Sequence, residues 1–149
     1  PSDCGVVVES VAKLHNAGCA RGDSKLYNFI ITPRGSVYVI DGEQAIDTWN
    51  EGYMYWDLLV FVITATYALI EVNAWKALQV AENTYRELLE SYLASGGVFA
   101  ERVLMEREKI NYKILAHMLL PIPYNVVYSK IVASIAGKSL SRACVHSSM

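Results

Sequence analysis

The stretch "LLVFVITATYALI", Leu58 to Ile70, limits this chain more than any other, because an uninterrupted apolar run has to be hidden on every side. It is shorter than the roughly 18 to 20 residues that cross a bilayer, and Asp57 and Glu71 bracket it with charge. The run predicts a buried core helix and no membrane span, so the other elements must wrap around it. With 149 residues, 53% of them hydrophobic, the chain can build one such core, and a net charge of -2 argues against a polyionic or disordered protein.

Elements able to do the wrapping are legible on both sides. "SDCGVVVESVAKLHNAG" predicts a helix over 3–16, with Ser2 or Asp3 as N-cap, Val7, Val8, Val11 and Leu14 at helical spacing, and Gly18 at the C-terminal cap. "NFIIT" and "VYVID", joined by "PRGS", predict a hairpin pairing Asn28–Thr32 with Val37–Ile40, its turn supplied by Pro33 and Gly35. Beyond Tyr53 the strand signals vanish. Trp75, Leu78, Ala81, Tyr85, Leu88, Leu89 and Tyr92 predict an amphipathic helix over 74–94, ended by Ser95-Gly96-Gly97. Helices over 98–118 and 124–136 are expected on either side of Pro121 and Pro123. The expected fold class is α+β and mostly helical, in one domain over 1–137 followed by a polar tail at 138–149.

Composition narrows the function classes. Lysines and arginines are scattered among acids, so no basic face is available for duplex phosphates and nucleic acid is not an expected partner. Cys4, Cys19 and Cys144 are odd in number and lack a CxxC spacing, which suggests neither a disulfide framework nor a zinc site. They fit buried thiols in a reducing cytoplasm. The first residues lack the basic segment and apolar stretch of a signal peptide, so a cytoplasmic location is expected.

The hairpin decides where chemistry can sit. It returns Asp41 to the residues entering its first strand, so Asp23, Lys25, Asn28 and Asp41 are expected at one end of the ribbon. A carboxylate and an amide oxygen there suit a hard cation such as magnesium, and Lys25 can set an ammonium against a phosphate. Blander roles compete. Asp23 and Asn28 can be turn formers bonding their own backbone, Lys25 a solvated lysine, and Asp41 a cap. His15 reads as a buried, hydrogen-bonded structural histidine. Tyr53, Tyr55 and Trp56 read as core aromatics, and Glu43 as solvent-facing or lysine-paired. Arg21-Gly22-Asp23 also spells an adhesion tripeptide, but that role needs extracellular display on an exposed tip, which the apolar neighbours disfavour.

The run "LHNAGCARGDSKLYNFIITPRGSVYVID" resembles the catalytic segment of the protein-kinase-like superfamily, in which His-Arg-Asp or His-Gly-Asp, four residues and Asn precede a hairpin ending in a metal-binding Asp. It is most similar to small atypical kinases: the RIO kinases, the small kinase of the KEOPS complex and lipopolysaccharide-kinase-like proteins. The resemblance covers about residues 5 to 70. It implies that Asp23 orients the acceptor hydroxyl and takes its proton, that Lys25 steadies the transferring phosphoryl group, and that Asn28 and Asp41 hold the metal ions, magnesium or manganese, that bridge the phosphates of ATP. Asp57, in "YWDLLVF", resembles the aspartate that opens the central helix of the kinase C-lobe and bonds back to the catalytic loop.

Three departures matter. Arg21 stands where the family usually has a structural histidine, "DGE" replaces Asp-Phe-Gly, and no glycine-rich loop, strand lysine or helix glutamate is present. The chain thus looks like a kinase C-lobe, with an N-lobe expected upstream of Pro1 and little nucleotide binding expected without it. The implied activity is phosphoryl transfer from ATP to a hydroxyl acceptor, foremost a protein serine or threonine. A small-molecule phosphotransferase of aminoglycoside or sugar type is the alternative within catalysis, and a pseudokinase interaction module is the alternative outside it.

Overall fold

The computed structural model describes residues 3–72, 77–106 and 118. Among these residues are three α-helices and two small antiparallel ribbons: α1 Asp3–Asn16, β1 Cys19–Ala20, β2 Phe29–Ile31, β3 Val37–Val39, β4 Ile46–Asp47, α2 Glu51–Val72 and α3 Ala77–Met105. The fold is α+β and mostly helical. Among the described residues no helix is long and apolar enough to cross a membrane.

The apolar run forms the middle of α2, and Leu58, Leu59, Val60, Phe61, Val62 and Ile63 are buried without a gap. Consecutive residues point all round a helix, so the middle of α2 is covered on every face and each of these side chains contributes roughly 1.5–3 kcal/mol relative to exposure. Two polar residues interrupt the run, and both are satisfied within the helix: Thr64 Oγ1 donates to the Val60 carbonyl (2.9 Å) and Thr66 Oγ1 to that of Val62 (2.6 Å). Asn50 caps the N-terminus, its Oδ1 accepting the Gly52 N–H at 2.9 Å.

α1 has the expected bounds. Asp3 in its first turn complements the helix dipole, Val7, Val8 and Val11 face the core, and the Gly18 N–H bonds the His15 carbonyl (2.9 Å) where the helix ends. The hairpin is likewise present, with Phe29 opposite Val39 and Ile31 opposite Val37. Its turn is closed by the Gly35 N–H on the Thr32 carbonyl at 2.9 Å.

Two expectations are corrected. α3 runs unbroken through Ser95-Gly96-Gly97, so the predicted stop and the separate helix starting at 98 are replaced by one helix to Met105. Its packing supplies the reason. α3 lies against both α1 and α2, and a Cβ placed on Gly96 would stand 3.7 Å from that of Ala12 on α1. The helix contact outweighs the roughly 1 kcal/mol per residue that glycine costs inside a helix. The cysteine expectation also changes, because Cys4 and Cys19 are free but only half-buried. Burial, with the charge of Asp3 adding to it, raises the Cys4 thiol above its ordinary pKa. A second ribbon, in which β1 pairs with β4 through Cys19 opposite Asp47 and Ala20 opposite Ile46, lies outside the sequence expectations. The helix expected over 124–136, the tail at 138–149 and Cys144 lie outside the described residues, as does most of 107–118.

Candidate functional site

The loop between β1 and β2 is fastened from below by side chains of α2. Asp57, fully buried, accepts the Arg21 N–H through Oδ2 and the Gly22 N–H through Oδ1, the latter at 2.6 Å. Further along, Thr64 Oγ1 accepts the Leu26 N–H (2.8 Å), and Trp56 Nε1 donates to the Gly22 carbonyl (3.0 Å). Asp57 is itself held from the side away from the loop. Its Oδ2 lies 3.5 Å from Nε2 of His15, and the other ring nitrogen of that histidine lies 2.7 Å from the Tyr92 hydroxyl. A polar chain thus runs from α3 through α1 and α2 to the loop backbone, with His15 1% and Tyr92 1% exposed. Burial first, and then the charge of Asp57, raise the Tyr92 phenol above its ordinary pKa, so it serves here as a neutral hydroxyl.

Gly22 has a residue-specific reason to be glycine. Its φ is +79°, and a Cβ there would meet the Gln44 carbonyl oxygen at 2.9 Å. The loop turns at this point and delivers Asp23. The Asp23 carboxylate is 19% exposed and lies 3.1 Å from the Lys25 ammonium, while Asn28 Nδ2 donates to both its backbone carbonyl (3.0 Å) and its Oδ2 (3.3 Å). Asp23, Lys25 and Asn28 therefore form one contact group.

Asp41 reaches the same end of the ribbon through the ladder, since the Ile40 N–H bonds the Asn28 carbonyl at 3.0 Å. It is exposed and adopts φ +61°, a left-handed conformation that aspartate tolerates better than most residues. Arg21 bridges loop and strand end. Its Nη2 donates to the carbonyls of Ile40 (3.2 Å) and Asp41 (2.8 Å), and its guanidinium lies 5.0 Å from the centre of the Phe29 ring. Burial lowers the pKa of this guanidinium, whereas Asp57, Asp23, Asp41 and Cys19 raise it again. The residue that departs from the kinase pattern is thus the tether between the loop and Asp41. Among the described residues, no hydrogen bond joins the Asp41 carboxylate to Asp23, Lys25 or Asn28.

The aromatic expectation divides. Tyr55 is buried and Trp56 half-buried, but Tyr53 is 55% exposed and is not a core residue. It stands in the first turn of α2, on the side turned from the core, where it helps line a cavity next to Gly22. Glu43 is exposed, one of the roles expected for it, and His15 has the buried, bonded environment expected of it. Sequence reasoning missed Thr64, Tyr92 and the bridging role of Arg21. Thr64 did carry a signal, as a hydroxyl inside an apolar run. Tyr92 was taken only as part of an apolar stripe.

The donor set can be tested against a hard cation. Asn28 engages Asp23 through its amide nitrogen, which leaves its Oδ1 free of that contact, and the exposed Asp41 lies one residue beyond the backbone pairing of Ile40 with Asn28. No group of three or more His, Cys, Asp or Glu side chains gathers among the described residues, so a cation here would complete its shell with water and phosphate oxygens, as magnesium does. No family model, curated protein or solved structure matches the chain.

Proposed function

We propose that this chain is the C-terminal lobe of an atypical, protein-kinase-like phosphotransferase that moves the γ-phosphate of ATP to a hydroxyl, foremost that of a protein serine or threonine. One observation carries the reading: Asp23, contacted by Lys25 and Asn28, sits on a loop whose backbone is bonded to buried Asp57, with Asp41 returned beside Asn28. In this reading Asp23 orients the acceptor hydroxyl and takes its proton as the acceptor oxygen bonds to the γ-phosphorus and the bond to the bridging oxygen of ADP breaks. Lys25 steadies the moving phosphoryl group. Asn28 and Asp41 would hold magnesium or manganese, which supplies charge neutralisation on the phosphates.

The test is made in the intact protein. Asp23→Asn is expected to lower kcat about 10²- to 10⁴-fold, the range for a lost general base, with the fold retained. Phosphoryl transfer unaffected by this substitution rejects the assignment. A panel of serine peptides, sugars and aminoglycosides offered with labelled ATP separates a protein acceptor from a small-molecule one. Manganese and ATP bound without transfer to any acceptor mark the fold as an interaction module instead.

A further inference from the structure

Beside the loop lies a cavity of about 600 Å³, lined by Gly22, Gln44, Ile46, Asn50, Tyr53 and Trp56 among others, that none of the roles above uses. Sites of roughly 300 to 1,000 Å³ take compact organic groups. Its chemistry is one-sided. Tyr53, Trp56 and Ile46 present aromatic and aliphatic surface, with Tyr53 55% and Ile46 41% exposed, and no charged side chain lines it. Its polar side chains are neutral, the Gln44 and Asn50 amides and the Tyr53 hydroxyl, and the Asn50 oxygen is already committed to the Gly52 N–H (2.9 Å). A carboxylate, phosphate or ammonium entering it would lose water without gaining a counter-charge.

Position gives the cavity its meaning. Gly22 in its wall directly precedes Asp23, and Trp56 is fastened to the Gly22 carbonyl (3.0 Å), so the wall and the proposed base are held by the same contacts. We infer that the cavity seats the non-reacting part of the phosphate acceptor and that this part is a neutral aromatic or branched apolar group; the inference rests on the phosphotransferase reading.

The experiment titrates the full chain with 4-methylphenol, a neutral probe, and with 4-hydroxybenzoate, its anionic counterpart, following the Trp56 indole N–H and the Gly22 amide by NMR. Saturable shifts with 4-methylphenol are expected, with binding about tenfold weaker for 4-hydroxybenzoate and about tenfold weaker in Tyr53→Ala or Ile46→Asp, the scale of one lost aromatic or apolar contact. Both side chains are exposed, so the rest of the amide spectrum should remain that of the parent fold. Tyr38→Ala, on the hairpin and outside the cavity, leaves binding unchanged. Absent or non-saturating shifts, equal binding of the two probes, or binding indifferent to both cavity substitutions overturns the inference. The two failures are separable. Absent binding alongside Asp23-dependent transfer removes the cavity assignment alone, whereas saturable binding alongside transfer that ignores Asp23→Asn removes the phosphotransferase reading and the acceptor role with it.

Discussion

The loop from Cys19 to Asn28 and the segment from Asp41 to Asn50 meet at Gly22 and Gln44, yet they are held in opposite ways. Beneath the loop, the N–H groups of Arg21, Gly22 and Leu26 and the carbonyl of Gly22 each find a side-chain partner on α2. The segment is exposed from Asp41 to Asp47 and is kept in place by the Arg21 fork, the β1–β4 pairing and the Thr48 N–H on the Gly18 carbonyl (2.7 Å). Buried polar groups fix a geometry strongly because leaving any of them unpaired is costly. A solvent-facing segment has water as an alternative partner and can adjust around what it contacts. The chain thus braces Asp23, Lys25 and Asn28 on a loop tied to α2, while Asp41 and the Gln44 and Ile46 side of the cavity belong to the more adaptable segment.

The contrast can be broken at its strongest point first. Asp57→Ala removes the acceptor for two loop N–H groups and the neighbour of His15, and should cost about 3–5 kcal/mol in denaturant unfolding. Faster amide exchange at Arg21 and Gly22 should accompany it. A loss below about 1 kcal/mol would mean that the loop is not held from beneath.

Gly22→Ala and Gly35→Ala form the next test, since both glycines have φ +79° but only Gly22 has backbone in the way, nothing lying within 4 Å of a Cβ at Gly35. Roughly 2–3 kcal/mol is expected at Gly22 and about 1 kcal/mol at Gly35. Equal costs would show that Gln44 simply moves aside.

Tyr92→Phe keeps the ring and removes the hydroxyl beside His15, for an expected loss of about 1–2 kcal/mol near neutral pH. Its pH dependence has a definite sign. The Tyr92 pKa is raised in the fold, so the folded state keeps a proton that the unfolded chain releases as the pH rises past about 10. Tyr92 therefore contributes its full stability below that value and loses it as the pH climbs further. Unfolding curves of parent and Tyr92→Phe should converge with rising alkalinity, and parallel curves would refute the buried role. Smallest is Lys25→Ala. Its ion pair with Asp23 has a lysine side chain 46% exposed, so stability should change by no more than about 0.5 kcal/mol. A larger loss would show that the front of the loop is braced like its underside.

What could be read in advance follows from where the information lies. α1 and the hairpin were legible to within a residue or two because each has a local period, a cap and a turn residue. The core role of Leu58–Ile63 was legible because nothing but burial accommodates such a run. The β1–β4 ribbon was not, since strands of two residues have no period to detect. Gly96 misled for a related reason: locally it ends a helix, whereas α3 packs along α1 and α2 and continues through it. The hairpin geometry anticipated Asp23, Lys25, Asn28 and Asp41 at one end of the ribbon, and among the described residues the first three are in contact while the Asp41 carboxylate bonds none of them. Arg21 and Tyr92 act at long range, on Asp41 and His15, and no window of sequence contains both partners.

The packing of α1 against α3 also bears on how the chain is made. The apolar stripe Val7, Val8 and Val11 leaves the ribosome well before the core residues of α3, which include Leu88, Tyr92, Ala100 and Val103, are synthesised. At about 5–20 residues per second the interval is roughly 5–20 s, long compared with the microseconds in which a helix forms. During that interval α1 can be helical yet uncovered, an apolar face that the finished protein hides against α3.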